Sequence, residues 1–320
     1  MKVGMDIKKV STISKAVIQE IERAVVGKHD LLEMVMASVL AGGHILLEDY
    51  PGLGKTMIAR SFARVLGLDF KRIQFTPDLL PGDITGGYIF NRTENRFELR
   101  KGPIFANIIL ADEINRASPK TQSALLEAMQ ERQVTLEGES LLLPEPFLVL
   151  ATQNPIEYEG TFPLPEAQLD RFMVKLSVGY PNLDEETEIL HRRSERRQDE
   201  VELYQVTDAM QLLDLCGVVE NIHIHADLKT YIATVVSATR KERHVAVGAS
   251  PRGSLAFLKM ARAYAAIKGR DYVIPDDIKH FAVPVLSHRL ILQPEHWMST
   301  HLAEDVILEL FSKIPVPVVD

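Results

Sequence analysis

Asp49-Tyr50-Pro51-Gly52-Leu53-Gly54-Lys55-Thr56 decides how this chain is read. The segment follows a β-rich apolar run, His44–Leu47, and opens a helical pattern over Lys55–Leu66. A phosphate chain needs several backbone N–H groups converging on it, and only small residues let the backbone come that close. Gly52 and Gly54 supply such a turn. The helix that starts near Lys55 aims its N-terminal amides and its dipole at the same anion. Lys55 adds a point charge for the β- and γ-phosphates, and the Thr56 hydroxyl is a ligand for Mg²⁺. The spacing fits G-x-x-x-x-G-K-[ST] except at its first position, where Asp49 replaces glycine. That position lies at the far end of the loop from Lys55, so the loss is discounted. A chance glycine-rich turn is the alternative, and the Gly-Lys-Thr run between strand and helix speaks against it. The expected ligands are ATP and Mg²⁺.

Further apolar runs end in polar tips. Ile108-Ile109-Leu110-Ala111-Asp112-Glu113 is a buried strand with carboxylates only at its C-terminal end, where parallel α/β sheets bind ligands. Asp112 suits the Mg²⁺ shell and Glu113 is placed to take a proton from an attacking water. Phe147–Ala151 leads into Thr152-Gln153-Asn154-Pro155, so Asn154 can bridge the γ-phosphate and that water. By itself Asn154 is equally a turn residue before proline. Arg171, just before the core run Val174–Val178, is open to two readings. It either reaches a neighbouring subunit's phosphoryl group or forms a surface salt bridge with Asp170 or Glu166.

Around these tips the first two thirds of the chain alternate helical and β patterns, the signature of a parallel sheet covered by helices. Helices are expected from Ser11 or Thr12 to Val25, over His29–Ala41, and over Pro119–Arg132. Tyr88–Phe90 with Arg96–Leu99, and Gln133–Leu136 with Leu141–Leu143, read as hairpins. After Tyr180-Pro181 strand patterns vanish, and helices are expected over Asp184–Arg196, Asp208–Leu215, Ala226–Thr239, Pro251–Ile267, Pro275–Leu286 and Met298–Leu310. The division expected is an α/β domain, 1–182, and a helical domain, 183–320.

Composition bounds the rest. With 320 residues, 46% of them hydrophobic, the chain can fill a sizeable core. A net charge of -8 argues against a general nucleic-acid surface, which needs clustered Lys and Arg. The single cysteine, Cys216, excludes an internal disulfide framework and a cysteine metal cluster, and is expected to be buried. The longest apolar run, Val35–Leu47, is broken by Gly42, Gly43 and His44, so no membrane span is expected. The N-terminus has no signal-peptide core, and the expected location is the cytoplasm.

Pro51-Gly52-Leu53-Gly54-Lys55-Thr56, Ala111–Arg116, Ala151–Pro155, Leu169-Asp170-Arg171-Phe172 and Ser250-Pro251-Arg252 together resemble the MoxR family of AAA+ ATPases. The likeness runs nearly the whole chain, in order. It implies a P-loop α/β domain with its parallel sheet sandwiched by helices, a smaller all-α lid, and a hexameric ring with ATP between subunits. By the resemblance Lys55 and Thr56 form Walker A with the adjoining Met57, Asp112 and Glu113 form Walker B, and Asn154 is sensor 1. Arg171 corresponds to an arginine finger acting on the neighbour, Arg252 to sensor 2, and Val26-Gly27 to the stretch near adenine. The two hairpins resemble insertions that line the ring face or pore. The implied role is chaperone-like: remodelling or maturing a client protein, often a metal-dependent enzyme, with a von Willebrand factor A-domain partner.

Two rivals use similar motifs, a metal-chelatase ATPase subunit and a nucleic-acid motor of the same clade. A DNA motor wants basic and aromatic pore hairpins. The first hairpin offers Tyr88, Phe90, Arg92, Arg96, Phe97, Arg100 and Lys101, but the second offers Glu137, Glu139 and Glu145.

Overall fold

The structure, a computed structural model, describes residues 2–154, 161–296 and 302–317. Pro155 and the expected helix start at Met298 lie outside the described residues.

Helices α1 (Lys2–Glu22) and α2 (His29–Leu40) precede strand β1 (Ile45–Glu48), the glycine loop and α3 (Lys55–Val65). Strand β2 (Phe70–Gln74) leads through α4 (Pro81–Thr85) into a hairpin of β3 (Gly86–Asn91) and β4 (Arg96–Lys101). Strand β5 (Ile108–Asp112) is followed by α5 (Pro119–Glu131), a second hairpin of β6 (Gln133–Leu136) and β7 (Glu139–Leu142), and β8 (Leu148–Gln153). A single turn, α6 (Glu166–Leu169), and β9 (Val174–Leu176) complete the α/β part. Beyond it come α7 (Leu183–Arg196), α8 (Ala209–Glu220), α9 (Ala226–Thr239), β10 (Val245–Val247) and α10 (Pro251–Ile267). The chain ends in α11 (Pro275–His280), α12 (Ala282–Leu286), β11 (Ile291–Leu292) and α13 (Leu302–Lys313).

The central sheet has five parallel strands in the order β2-β5-β8-β1-β9. Such a sheet is buried on both faces, which is why β1, β5 and β8 are almost wholly apolar. Alternate residues serve opposite cores. Ile45, Leu47, Ile108, Leu110 and Leu150 pack with Val17 and Ile21 of α1, Leu32 and Met36 of α2, and Phe62 of α3. Leu46, Ile109, Ala111, Val149 and Ala151 pack with Leu125, Leu126 and Met129 of α5. The expected sandwich is therefore present.

The C-terminal helices do not keep a core of their own. Leu212 and Leu215 of α8, Phe257 and Met260 of α10, and Ile307 of α13 join the cluster that holds α1, α2 and α3. The Ser11 hydroxyl donates to Ile267 O across that seam, 2.7 Å. This explains why α1 begins at Lys2 rather than at Ser11 or Thr12. Ile7 and Val10 extend its apolar stripe into the shared core, an outcome that local periodicity could not foresee.

Three further expectations are corrected. The helical lid contains a short antiparallel pair, with Val245 opposite Leu292, too brief for a two-residue period to register. The helix expected over Pro275–Leu286 breaks at Phe281, because Pro284 has no N–H to give the His280 carbonyl and its ring would crowd it. Cys216 is half-buried rather than buried.

His44 sets a pH limit on this fold. It is buried at the start of β1, accepts the Val149 N–H on Nδ1 (3.0 Å), and so donates from Nε2 to Met129 O (3.0 Å). Burial, aided by the Arg132 charge, lowers its pKa to about 3. The unfolded chain therefore takes up this proton near pH 6.5 while the fold refuses it, and stability drains as pH falls from 6.5 towards 3. Between pH 7.5 and pH 5, wild type should lose about 2 kcal/mol more than His44→Gln in urea unfolding. Equal losses would mean that His44 is not held neutral.

Candidate active site at the strand tips

In the order β5-β8-β1 the three strands with polar tips are immediate neighbours, and parallel pairing brings their C-terminal ends to one edge. The glycine loop leaves β1, Asp112 closes β5, and Asn154 follows β8. A cavity of about 250 Å³ opens there, lined by Pro51, Gly52, Leu53, Gly54, Lys55 and Thr56 on one side. Asp112, Glu113, Thr152, Asn154 and Arg72 form its other walls.

Local chemistry explains each wall. Gly52 and Gly54 have φ of +84° and +85°, and a Cβ built on either would meet nothing within 4 Å. Glycine is needed there for backbone conformation, and the space beside it is open, as a phosphate cradle requires. The Lys55 ammonium is half-buried and donates to Asp49 O, 2.6 Å. Desolvation lowers its pKa, against the pull of Asp49, Asp112 and Glu113, so the lysine and both acids share one field.

Asp112 is held by its neighbours. Its Oδ1 accepts from Thr152 Oγ1 (2.7 Å), and its Oδ2 accepts from Arg72 Nη2 (2.6 Å) and Nε (3.0 Å). Glu113 stands in the left-handed region, φ +56°, which costs a non-glycine residue about 1–2 kcal/mol. Its N–H is caught by Thr152 Oγ1 at 2.8 Å. Its Oε2 accepts from Gln74 Nε2 (2.7 Å) and Arg116 Nη1 (3.0 Å). The strain turns the chain sharply after β5 and keeps the second acid at the cavity. Thr56 and Asp112 offer hard oxygen donors in one cavity, a set that suits Mg²⁺.

Arg72 and Gln74 escaped the sequence reading, and Arg116 and Thr152 were quoted there without a role in the site. Gln74 pairs in register with Asp112 only because β2 lies beside β5, and no local pattern announces that neighbour.

Other expected site residues lie elsewhere. Arg171 and Arg252 meet in a second cavity of about 280 Å³, lined also by Gly43, His44 and Gln130. Gly43 and His44 precede β1, so this cavity opens at the N-terminal edge of the sheet, roughly 13 Å of strand away from the glycine loop. Arg171 Nη1 donates to Leu126 O (3.2 Å) and to Gln130 Oε1, and Arg252 Nη2 reaches the same Gln130 oxygen at 3.3 Å. The predicted salt bridge of Arg171 with Asp170 or Glu166 is not among these bonds. Asp170 instead accepts from Ser250 Oγ (2.8 Å), the N-cap of α10, and from the buried Arg289 Nε (2.9 Å). Arg289 also donates to Phe172 O (2.6 Å) and Met173 O (3.2 Å), and burial lowers its pKa to about 10. The arginine-bearing segments of both parts of the chain are thus tied together.

Val26, Gly27 and Met57 do not line the phosphate cavity. Gly27, φ +70°, lies under the Glu185 carboxylate of α7, and Met57 is 45% exposed.

A glycine cradle, a lysine, and paired acids on adjoining parallel strand tips define a P-loop ATPase. Comparison with known proteins agrees. Residues 44–174 match the model of the ATPase family associated with various cellular activities (AAA), and residues 237–310 match the AAA lid domain. The chain is 44% identical to Chaperone MoxR1 of Mycobacterium tuberculosis, over 97% of this chain and 84% of that one. It is 51% identical to the uncharacterized protein YeaC of Bacillus subtilis, over 94% of each. A crystal structure from Cytophaga hutchinsonii, 40% identical, superposes with a TM-score of 0.91 over 98% of both chains. The chain belongs to the MoxR family of AAA+ ATPases.

Lys55→Ala removes the cation from the cradle and should weaken ATP binding at least about 100-fold by calorimetry. An unchanged affinity would exclude the loop as the nucleotide site.

Proposed function

We propose that this ATPase works as a homo-oligomeric ring, a hexamer by its resemblance, in which one subunit's Arg171 and Arg252 complete the ATP site of the next. One observation carries the reading. Both arginines share a cavity at the opposite edge of the sheet from the phosphate loop of their own subunit. A head-to-tail ring lays one edge of each subunit against the other edge of its neighbour.

Within that site Lys55 and the loop amides hold the triphosphate, and Thr56 and Asp112 would hold Mg²⁺, which would supply charge neutralisation on the phosphate oxygens. Glu113 accepts the proton of the attacking water. Asn154 lies near its strand tip to orient that water against the γ-phosphate. Gln74 and Arg116, both on Glu113 Oε2, set where the base points until the proton is taken. Asp170, gripped by Ser250 and Arg289, makes the two arginines one unit, so loss of the γ-phosphate frees both together.

The same reading includes a client protein and a von Willebrand factor A-domain partner, and a division at 182/183. The division is supported by the gap between the two matched models, and a chaperone role by the name of MoxR1. The β3–β4 hairpin favours protein contact: Ile89, Phe90 and Phe97 are 49%, 50% and 68% exposed on it. Its Tyr88 is bonded to Glu139 of the second hairpin, 2.7 Å.

Two experiments test this. Glu113→Gln should bind ATP yet turn over at least about 100-fold more slowly in a phosphate-release assay, and normal turnover would require another base. Arg171→Ala and Lys55→Ala subunits, each inactive alone, should recover activity when mixed. No recovery at any ratio, with mixed rings seen by native mass spectrometry, would rule out a shared site.

A further inference from the structure

Asp49 breaks the phosphate-loop pattern, and the fold uses the exception. Its backbone does not lie at positive φ, so the position makes no demand for glycine. Asp49 is 6% exposed, a burial that a carboxylate tolerates only when its oxygens are paired. Oδ1 accepts the N–H of Tyr50 at 2.8 Å. Oδ2 accepts the Ser177 hydroxyl at 2.9 Å and the N–H of Gly179 at 2.7 Å. Ser177 and Gly179 follow β9, the strand beside β1, so the carboxylate staples the entrance of the loop to the next strand's exit.

The other end of the residue faces the site. Asp49 O receives the Lys55 ammonium at 2.6 Å, and Asp49 N donates to Gln153 O of β8 at 3.2 Å. A negative side chain pointed into the cradle would repel a triphosphate. Neither Asp49 nor any of its three donor residues is among the cavity's walls.

We infer that Asp49 is a positioning residue for ATP binding: its buried carboxylate, bonded to Ser177, Gly179 and Tyr50, fixes the loop entrance and the carbonyl that sets the resting place of Lys55. Preorganisation of this kind lowers the ordering cost of binding and leaves the chemical step alone. The fixed groups are those that grip phosphate, so ATP and ADP benefit alike.

The test substitutes the glycine usual at this position. Asp49→Gly should raise the ATP and ADP Kd, and the KM for ATP, about tenfold, with kcat within about twofold of wild type. Ser177→Ala, which removes one donor from an exposed residue, should raise Kd about two- to threefold, and combined with Asp49→Gly it should add nothing. All affinities are measured well below each variant's Tm. Wild-type Kd and KM in Asp49→Gly would overturn the inference, as would a lower Tm with unchanged nucleotide affinity, which marks a purely structural strut. Should Asp49→Gly fail to fold, Ser177→Ala decides, and its wild-type Kd would overturn the inference equally. Additive effects in the double variant would also overturn it, since the two groups would then act separately.

Discussion

Parallel pairing of β1 with β8, and of β8 with β5, is the constraint on which the rest of this molecule depends. With Ile45 opposite Leu150 and Ile109 opposite Val149, the three strands end together. A glycine loop, a pair of acids and an asparagine, separated by scores of residues in the chain, then stand a few ångströms apart. The register is enforced by two cores, since a slip of one residue would exchange Leu46 and Leu47 between faces already filled by α5 and by α1 to α3. Packing on the sheet's faces thus holds the geometry at its edge.

At that edge the charges are strongly coupled. Lys55 is desolvated and lies within the field of three carboxylates, while Asp112 and Glu113 are each held by an arginine and a neutral polar group. The sheet's opposite edge gathers Arg171, Arg252 and Arg289 around one carboxylate and one glutamine. Positive charge collects at one end of the strands and phosphate-binding groups at the other, a polarity that suits stacking of like subunits head to tail.

The helical part is not a loosely hung appendage. Its helices α8, α10 and α13 share one core with α1, α2 and α3, and Lys268 reaches Glu33 of α2 at 2.7 Å. Close-packed interiors deform little, so this shared core ties the helices that carry Arg252 firmly to the nucleotide-binding part.

By itself the sequence determined the chemistry of the site and the kind of sheet that carries it. Gly52, Gly54, Lys55, Thr56, Asp112, Glu113 and Asn154 are read locally, because each sits where an apolar run stops and a turn begins. What only tertiary structure decided is which strands adjoin and which edge each residue occupies. Gln74 and Arg72 became part of the site through the placing of β2 beside β5, and Arg252 was drawn to Arg171 through Asp170 and Ser250. Those pairings join residues dozens of positions apart, and a periodic pattern records which face a residue takes but not which neighbour it will find there. Asp49 falls between the two: its identity is plain in the chain, but its partners Ser177 and Gly179 come from a strand that only the folded sheet brings alongside.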